Sequence, residues 1–162
     1  MIEVKNISYK YAGQKALVFD DFSLSLEANN IYGLLGKNGT GKSTLLYLIA
    51  GLLRPKSGVV TFDGIETRLR RPEALSEIFL VPEEFDLPQM SLSEYVKINE
   101  PFYPRFSREV LEACLKDFEL SSDVKLGALS MGQKKKVFMS FALAASTRLL
   151  LMDEPTNGLD IP

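Results

Sequence analysis

Between Gly36 and Ser43 the chain reads G-K-N-G-T-G-K-S, which fills the G-x-x-x-x-G-K-[ST] pattern of a phosphate-binding loop. The chemistry such a loop serves is the binding of a nucleoside triphosphate. Gly36, Gly39 and Gly41 admit backbone angles that a side chain forbids, so the N–H groups of Gly36, Lys37, Asn38, Gly39, Thr40 and Gly41 can turn inward as a nest for phosphate oxygens. Lys42 is placed to reach the β- and γ-phosphates, Ser43 to ligate Mg²⁺, and Thr44 completes the candidate ATP-binding set. The context supports the pattern. The apolar run Ile31 to Leu35 precedes the loop as a predicted strand, and a helix-like run from Ser43 to Ala50, closed by Gly51, follows it. A helix starting there adds unpaired N–H groups and the positive end of its dipole, both of which favour an anion.

A second centre lies near the other end of the chain, where Arg148 to Met152 runs into Asp153 and Glu154. The continuous apolar stretch suits a strand buried in a parallel sheet, and open α/β sheets bind ligands at the carboxyl ends of such strands. Asp153 is placed to hold Mg²⁺ through its water shell and Glu154 to face an attacking water. Pro155 biases Glu154 toward extended angles. Between the two centres, Ser130 and Gln133 open a long apolar helix through Val137, Phe138, Phe141 and Ala145. Their spacing is that of a capping box, so a plain helix start accounts for them locally.

The elements that must position these residues follow from periodicity. Ile2 to Val4, Ser8-Tyr9 and Leu24 to Leu26 alternate as strands, with Tyr11 to Gln14 as a turn, and Val59 to Phe62 forms a strand ended by Asp63-Gly64. Ile78 to Val81 is a further strand, followed by an acidic, exposed loop from Pro82 to Pro88. From Met90 the period becomes helical. Ser91 and Glu94 make a capping box with Met90 and Tyr95 as its staple, Pro101 and Pro104 interrupt, and Ser107 caps a helix presenting Val110, Leu111, Cys114, Leu115 and Phe118 on one face.

Composition bounds the rest. With 162 residues and 46% hydrophobic content the chain suits one domain with a sizeable core. A net charge of −2 and a pI near 5.3 give no bulk electrostatic basis for nucleic-acid binding. The Lys134-Lys135-Lys136 run reads as a solvated helix face. Cys114 is the single cysteine, which excludes an internal disulfide. The sequence contains no histidine, which removes His-based acid–base and metal chemistry, and no apolar run approaches a membrane span or a leader peptide.

The phosphate loop, L-S-x-G-Q at Leu129 to Gln133 and the apolar run ending in D-E-P, in that order and separated by a helical insert, resemble the ATP-binding cassette (ABC) family. The resemblance covers nearly the whole chain. It implies a P-loop NTPase (RecA-like) α/β core with an N-terminal antiparallel β part and a small α-helical insert. Residues 1–162 would form one ABC domain, with 1–89 and 127–162 as core, 90–126 as the helical part and the C-terminal part missing. It implies that Tyr11 stacks on adenine, a role to be weighed against covering a sheet edge. Ser130, Gly132 and Gln133 would contact ATP bound to a partner subunit, Asp153 would be the Walker B aspartate and Glu154 the catalytic base. Asp160 would lie in a loop at the dimer interface.

Two departures from the family pattern stand out. Glu83 occupies the position where the family usually has a Mg²⁺-ligating Gln, the other reading being an exposed acidic loop residue. The sequence also ends at Pro162, before the segment where the family carries a switch histidine. The expected function is ATP hydrolysis, with Lys42 and Glu154 as catalytic residues and ATP and Mg²⁺ bound, powering transport. The expected partners are a second ABC ATPase domain, as a homodimer, and a membrane-spanning permease, with no nucleic acid. The expected place is the cytoplasm, peripheral on the inner face of the membrane. The alternatives are a non-transport ABC ATPase associated with ribosomes or DNA and a regulatory nucleotide-binding module without turnover. Slow or absent turnover is expected of this chain alone.

Overall fold

The structure, a computed structural model, describes residues 1–157, and these fall into two units, Met1–Leu75 and the residues from Ser76 onward. The first unit is built on β1 (Ile2–Tyr9), β2 (Phe19–Leu26), β3 (Ser57–Phe62) and β4 (Ile65–Glu66), which form an antiparallel sheet in the order β2-β1-β3-β4. In β1 the buried residues are Ile2, Val4, Ile7 and Tyr9. The change of face between Val4 and Ile7 coincides with a register shift, where Asn6 takes φ 49° and its Nδ2 donates to Asp21 Oδ1 at 2.8 Å. Such an irregularity resets alternation at a local break in the ladder, where Asn6 N donates to Ser23 Oγ at 2.9 Å instead of to a strand carbonyl.

Two helices belong to this unit, α1 (Lys42–Ile49) and the short α2 (Pro72–Leu75). The α1 helix packs on β3 through a face that buries Thr44, Leu45, Leu48 and Ile49. Thr67, itself buried, fastens the two by donating its hydroxyl toward Leu48 O at 3.2 Å and Val60 O at 3.4 Å.

Gly58 sits where β3 approaches β1 too closely for a side chain: it takes φ +78°, and a Cβ would lie 2.3 Å from both Lys5 O and Asn6 O. Strained φ and backbone collision together predict that Gly58→Ala destabilises the protein by about 2–4 kcal/mol. A urea melt checks this, with the midpoint expected to fall at unchanged m-value.

The apolar run Ile31 to Leu35 departs from expectation. No strand forms over it among the described residues, Ile31 and Leu35 are almost wholly exposed, and Tyr32 and Leu34 remain exposed as well. A strand needs a neighbour to satisfy its N–H and C=O groups, and apolar composition does not supply one.

In the second unit β5 (Ile78–Val81) pairs in parallel with β6 (Leu149–Met152), from Ile78 opposite Leu149 to Val81 opposite Met152. Around them lie α3 (Leu92–Asn99), α4 (Arg108–Asp117) and α5 (Met131–Ala144). Both halves of the Ser91–Glu94 capping box are formed, and Ser107 Oγ accepts from Val110 N at 3.2 Å to start α4. The predicted apolar face of α4 is narrower than expected. Leu111 and Leu115 are buried, while Val110 is exposed.

One core ties this unit together, with Phe79, Val81, Leu92, Val96, Leu111, Leu115, Leu126, Val137 and Phe141 buried in a single cluster. Leu87, predicted to lie in an exposed loop, is buried in it too. At the rim Arg105 forms an ion pair with Glu77. The hydrogen bond from Arg105 holds the Glu77 carboxyl below the usual carboxylate range despite partial burial.

Candidate functional site

In the first unit the phosphate loop enters α1 at Gly41, which takes the N-cap position in the left-handed conformation with φ 97°. A Cβ there would come within 2.7 Å of Val18 Cγ1 and 3.1 Å of Phe19 Cζ, so both the angle and the space require glycine. Gly41 has no side chain to offer the first amides of α1, and no side chain caps them. They stay available to an external acceptor, at the positive end of the helix dipole.

The loop is shaped from within. Thr40 Oγ1 donates to Lys37 O at 2.8 Å, and the Lys42 ammonium lies back over the loop, donating to Gly36 O at 2.9 Å and Lys37 O at 3.3 Å. Lys37, Asn38, Gly39 and Thr40 are exposed, and Lys42 and Ser43 are half-buried at the start of the helix. A carbonyl-bound ammonium exchanges readily for phosphate oxygens, because a charge-assisted hydrogen bond to an anion is the stronger of the two.

Tyr11 is brought to the same helix turn. Its hydroxyl shares a 2.9 Å hydrogen bond with Thr44 Oγ1, and its ring meets Tyr9 edge-on with centroids 5.1 Å apart. The Thr44 side chain is therefore occupied with Tyr11 and buried, leaving its backbone amide as the group available to a ligand.

In the second unit β6 delivers Asp153, whose N–H donates to Val81 O at 2.9 Å and so continues the ladder by one residue. The Asp153 side chain is only 3% exposed, and its Oδ2 has no hydrogen-bond partner. A buried carboxylate oxygen left unpaired is costly, so this atom marks a place for a cation or its bound water. No group of three or more acidic, His or Cys side chains placed to hold a metal ion occurs among the described residues. Mg²⁺ at nucleotide sites typically uses one or two carboxylates together with substrate phosphates and water, and Asp153 fits that pattern.

Glu154 is exposed and departs from the extended conformation expected before Pro155: its φ is 45°, in the left-handed region. The cause is the turn it opens. Asn157 N donates to Glu154 O at 3.1 Å, and Lys135 Nζ donates to Glu154 O at 2.7 Å and to Asn157 O at 2.9 Å. Glu83 is brought to the same turn, where its Oε1 accepts from Asn157 Nδ2 at 2.9 Å. A cavity of about 560 Å³ adjoins it, lined by Glu83, Glu84, Phe85, Met131 and Asn157.

The lysine run is not a solvated face. Lys135 is 3% exposed, Lys134 pairs with Asp86 at 2.8 Å, and Lys136 lies over the Phe118 ring at 5.7 Å. The Lys134 contact, with the Leu87 N–H, holds the Asp86 carboxyl below its ordinary value. Burial of Lys135 had a trace in the sequence, since it lies two helical turns before the buried Ala142 on the same face of α5.

At the start of α5, Ser130 and Gln133 form both halves of the capping box, at 3.3 Å and 3.0 Å. Ser130 Oγ is the acceptor in this cap, so its O–H remains a donor for a ligand, and the capping and ligand roles are compatible. Ser130 and Gln133 are exposed, and Gly132 is half-buried. Asp160 lies outside the described residues.

A sequence model described as ABC transporter matches residues 19–157. The ABC transporter ATP-binding protein YtrB of Bacillus subtilis is 34% identical over 161 residues, covering 99% of this chain and 54% of its own length. The methionine import ATP-binding protein MetN of Carboxydothermus hydrogenoformans is 36% identical, with 99% and 51% covered. The lipopolysaccharide export ATP-binding protein LptB of Haemophilus influenzae is 31% identical, with 99% and 69% covered. The chain thus spans about half the length of the first two of these relatives. Among solved structures, an ABC transporter ATP-binding protein from Pyrococcus furiosus superposes with TM-score 0.80 at 25% identity, covering 98% of this chain and 78% of that one. A dimeric post-hydrolysis ATP-binding cassette bound to ADP and Pi gives 0.81 at 28% identity, covering 99% and 76%.

Proposed function

The chain belongs to the ABC transporter family, and from that premise we propose that it binds ATP and, as the nucleotide-binding part of a transporter, hydrolyses it to ADP and phosphate to drive transport. The observation that carries this reading is the phosphate loop, whose Lys42 ammonium and α1 amides are held ready for an anion at a helix start that no side chain caps. Both units are read as parts of one ABC domain, with residues 90–126 as its helical part.

In this reading the amides of Gly36 to Thr44 and the Lys42 ammonium bind the triphosphate, and Tyr11 offers its ring to the adenine. Ser43, Asp153 and Glu83 would hold Mg²⁺, which neutralises charge on the phosphate oxygens. The Glu154 carboxylate accepts a proton from water as the water oxygen bonds to the γ-phosphorus. The bond from that phosphorus to the bridging oxygen breaks, and ADP carries away the electron pair. Ser130, Gly132 and Gln133 of a second copy would close the site as a homodimer, with Asp160 at the interface. A membrane-spanning permease would be contacted by the helical part. No helix among the described residues is long and apolar enough to cross a membrane, and the reading places the protein on the cytoplasmic face through that permease.

The test is threefold on the full-length protein: ATP affinity by calorimetry, steady-state phosphate release, and copurification with a multi-span membrane protein. Failure to bind ATP overturns the reading. Binding without turnover favours a regulatory module, and turnover with a ribosome or DNA as the copurifying partner favours a non-transport ATPase.

Glu83 adds a finer expectation. At about 4 Å and an effective dielectric near 20, unit charges interact by roughly 4 kcal/mol, attractive toward Mg²⁺ and repulsive toward phosphate. ATP affinity is therefore expected to depend strongly on Mg²⁺ and to depend on it less in Glu83→Gln. Equal ATP affinity of the unmodified protein with and without Mg²⁺ would remove Glu83 from the metal site.

A further inference from the structure

We propose that Lys135 is a positioning residue, whose buried ammonium sets the direction in which Glu154 presents its carboxylate. The inference rests on the reading of Glu154 as the base. Burying an ammonium is costly unless its donors are satisfied, and filling space in α5 needs no charge there. This ammonium is aimed at one target. It donates to Glu154 O at 2.7 Å and to Asn157 O at 2.9 Å, the first and last carbonyls of a single turn.

The turn needs such a hold. Glu154 carries φ 45°, a conformation that side-chain-bearing residues keep only where the surroundings over-determine it. Fixing the Glu154 carbonyl fixes the peptide plane that follows, and with it the direction of the Cα–Cβ bond that carries the carboxylate. The anchor itself is rigid, because Val137, Phe141, Ala142 and Ala144 of the same helix lie in the core. Glu83 steadies the far end of the turn through Asn157 Nδ2 at 2.9 Å, and cannot replace the contact to the Glu154 carbonyl.

Three variants of the full-length protein test this. Lys135→Met keeps the length of the side chain without its donors, Lys135→Gln keeps a donor that is too short to span both carbonyls, and Lys135→Arg keeps charge and reach. In Lys135→Met and Lys135→Gln, kcat is expected to fall by about 10–100-fold while KM and ATP affinity stay within about twofold, since a misdirected group costs rate and not binding. The Asn157 amide, which donates to Glu154 O, is expected to exchange about tenfold faster or more, with α5 protection unchanged. Lys135→Arg is expected to recover much of the lost kcat. Where Lys135→Met does not fold, Lys135→Gln carries the comparison. Unchanged kcat in either folded variant overturns the inference. So does a joint loss of kcat, KM, melting temperature and α5 protection that Arg does not relieve, which is the mark of a structural role alone. A wild-type protein that binds ATP without hydrolysing it overturns the functional reading, and this inference with it; loss limited to the variants leaves that reading standing.

Discussion

Glu154→Gln is expected to leave ATP binding intact and to lower steady-state hydrolysis by about 100- to 10,000-fold, the range that a positioned general base supplies. The carboxamide matches the carboxylate in shape and cannot accept the proton of the attacking water. Glu154 is exposed at the end of β6, so the substitution buries nothing new and leaves the turn held by Lys135 through backbone oxygens. Loss of activity would therefore report chemistry and not unfolding. Equilibrium binding of ATP and phosphate release on the same preparation give the two numbers. A Glu154→Gln enzyme with normal turnover would take Glu154 out of the role of base, and the positioning role of Lys135 would fall with it.

Lys42→Ala is expected to weaken ATP binding by about 10- to 150-fold, corresponding to the roughly 1.5–3 kcal/mol of a hydrogen bond to a charged group. Two effects add. The ammonium that would meet the β- and γ-phosphates is gone, and so are its hydrogen bonds to Gly36 O and Lys37 O, which help to shape the loop. Lys42→Arg separates them, since it keeps the charge and alters the fit. Calorimetric titration with ATP in excess Mg²⁺ is the measurement. An Ala variant that binds ATP as tightly as the unmodified protein would show that the α1 amides alone hold the phosphates.

Features decided within a few residues were legible from the sequence. The capping boxes at Ser91 and Ser130 needed only a hydroxyl and a Glu or Gln three residues on, and both formed. The strands β5 and β6 were announced by two short apolar runs and the strands of the opening by alternation, while the parallel pairing of the first two came only from the structure. Order and spacing of three motifs sufficed to identify the family, which the match over residues 19–157 bears out.

The features that were not legible involve partners distant in the chain. Spacing to Ala142 places Lys135 on the buried face of α5, yet nothing local names its partners Glu154 and Asn157, which lie 19 and 22 residues away. The Glu154 conformation is another case. The preference before proline predicted an extended residue, and the closed turn imposed φ 45° instead. The run Ile31 to Leu35 is apolar enough for a strand and forms none, because ladder pairing is a property of two segments and not of one.

The sequence by itself determined that this chain carries a phosphate loop, the ABC motifs and the residue types for ATP chemistry, because glycines, caps and short apolar runs act over a few bonds. The tertiary structure alone decided that Asp153 is buried with a free oxygen and that Lys135 is an internal cation fastening the turn of Glu154. Electrostatic pairing is set by which distant groups share a dry environment, and no local pattern names those partners.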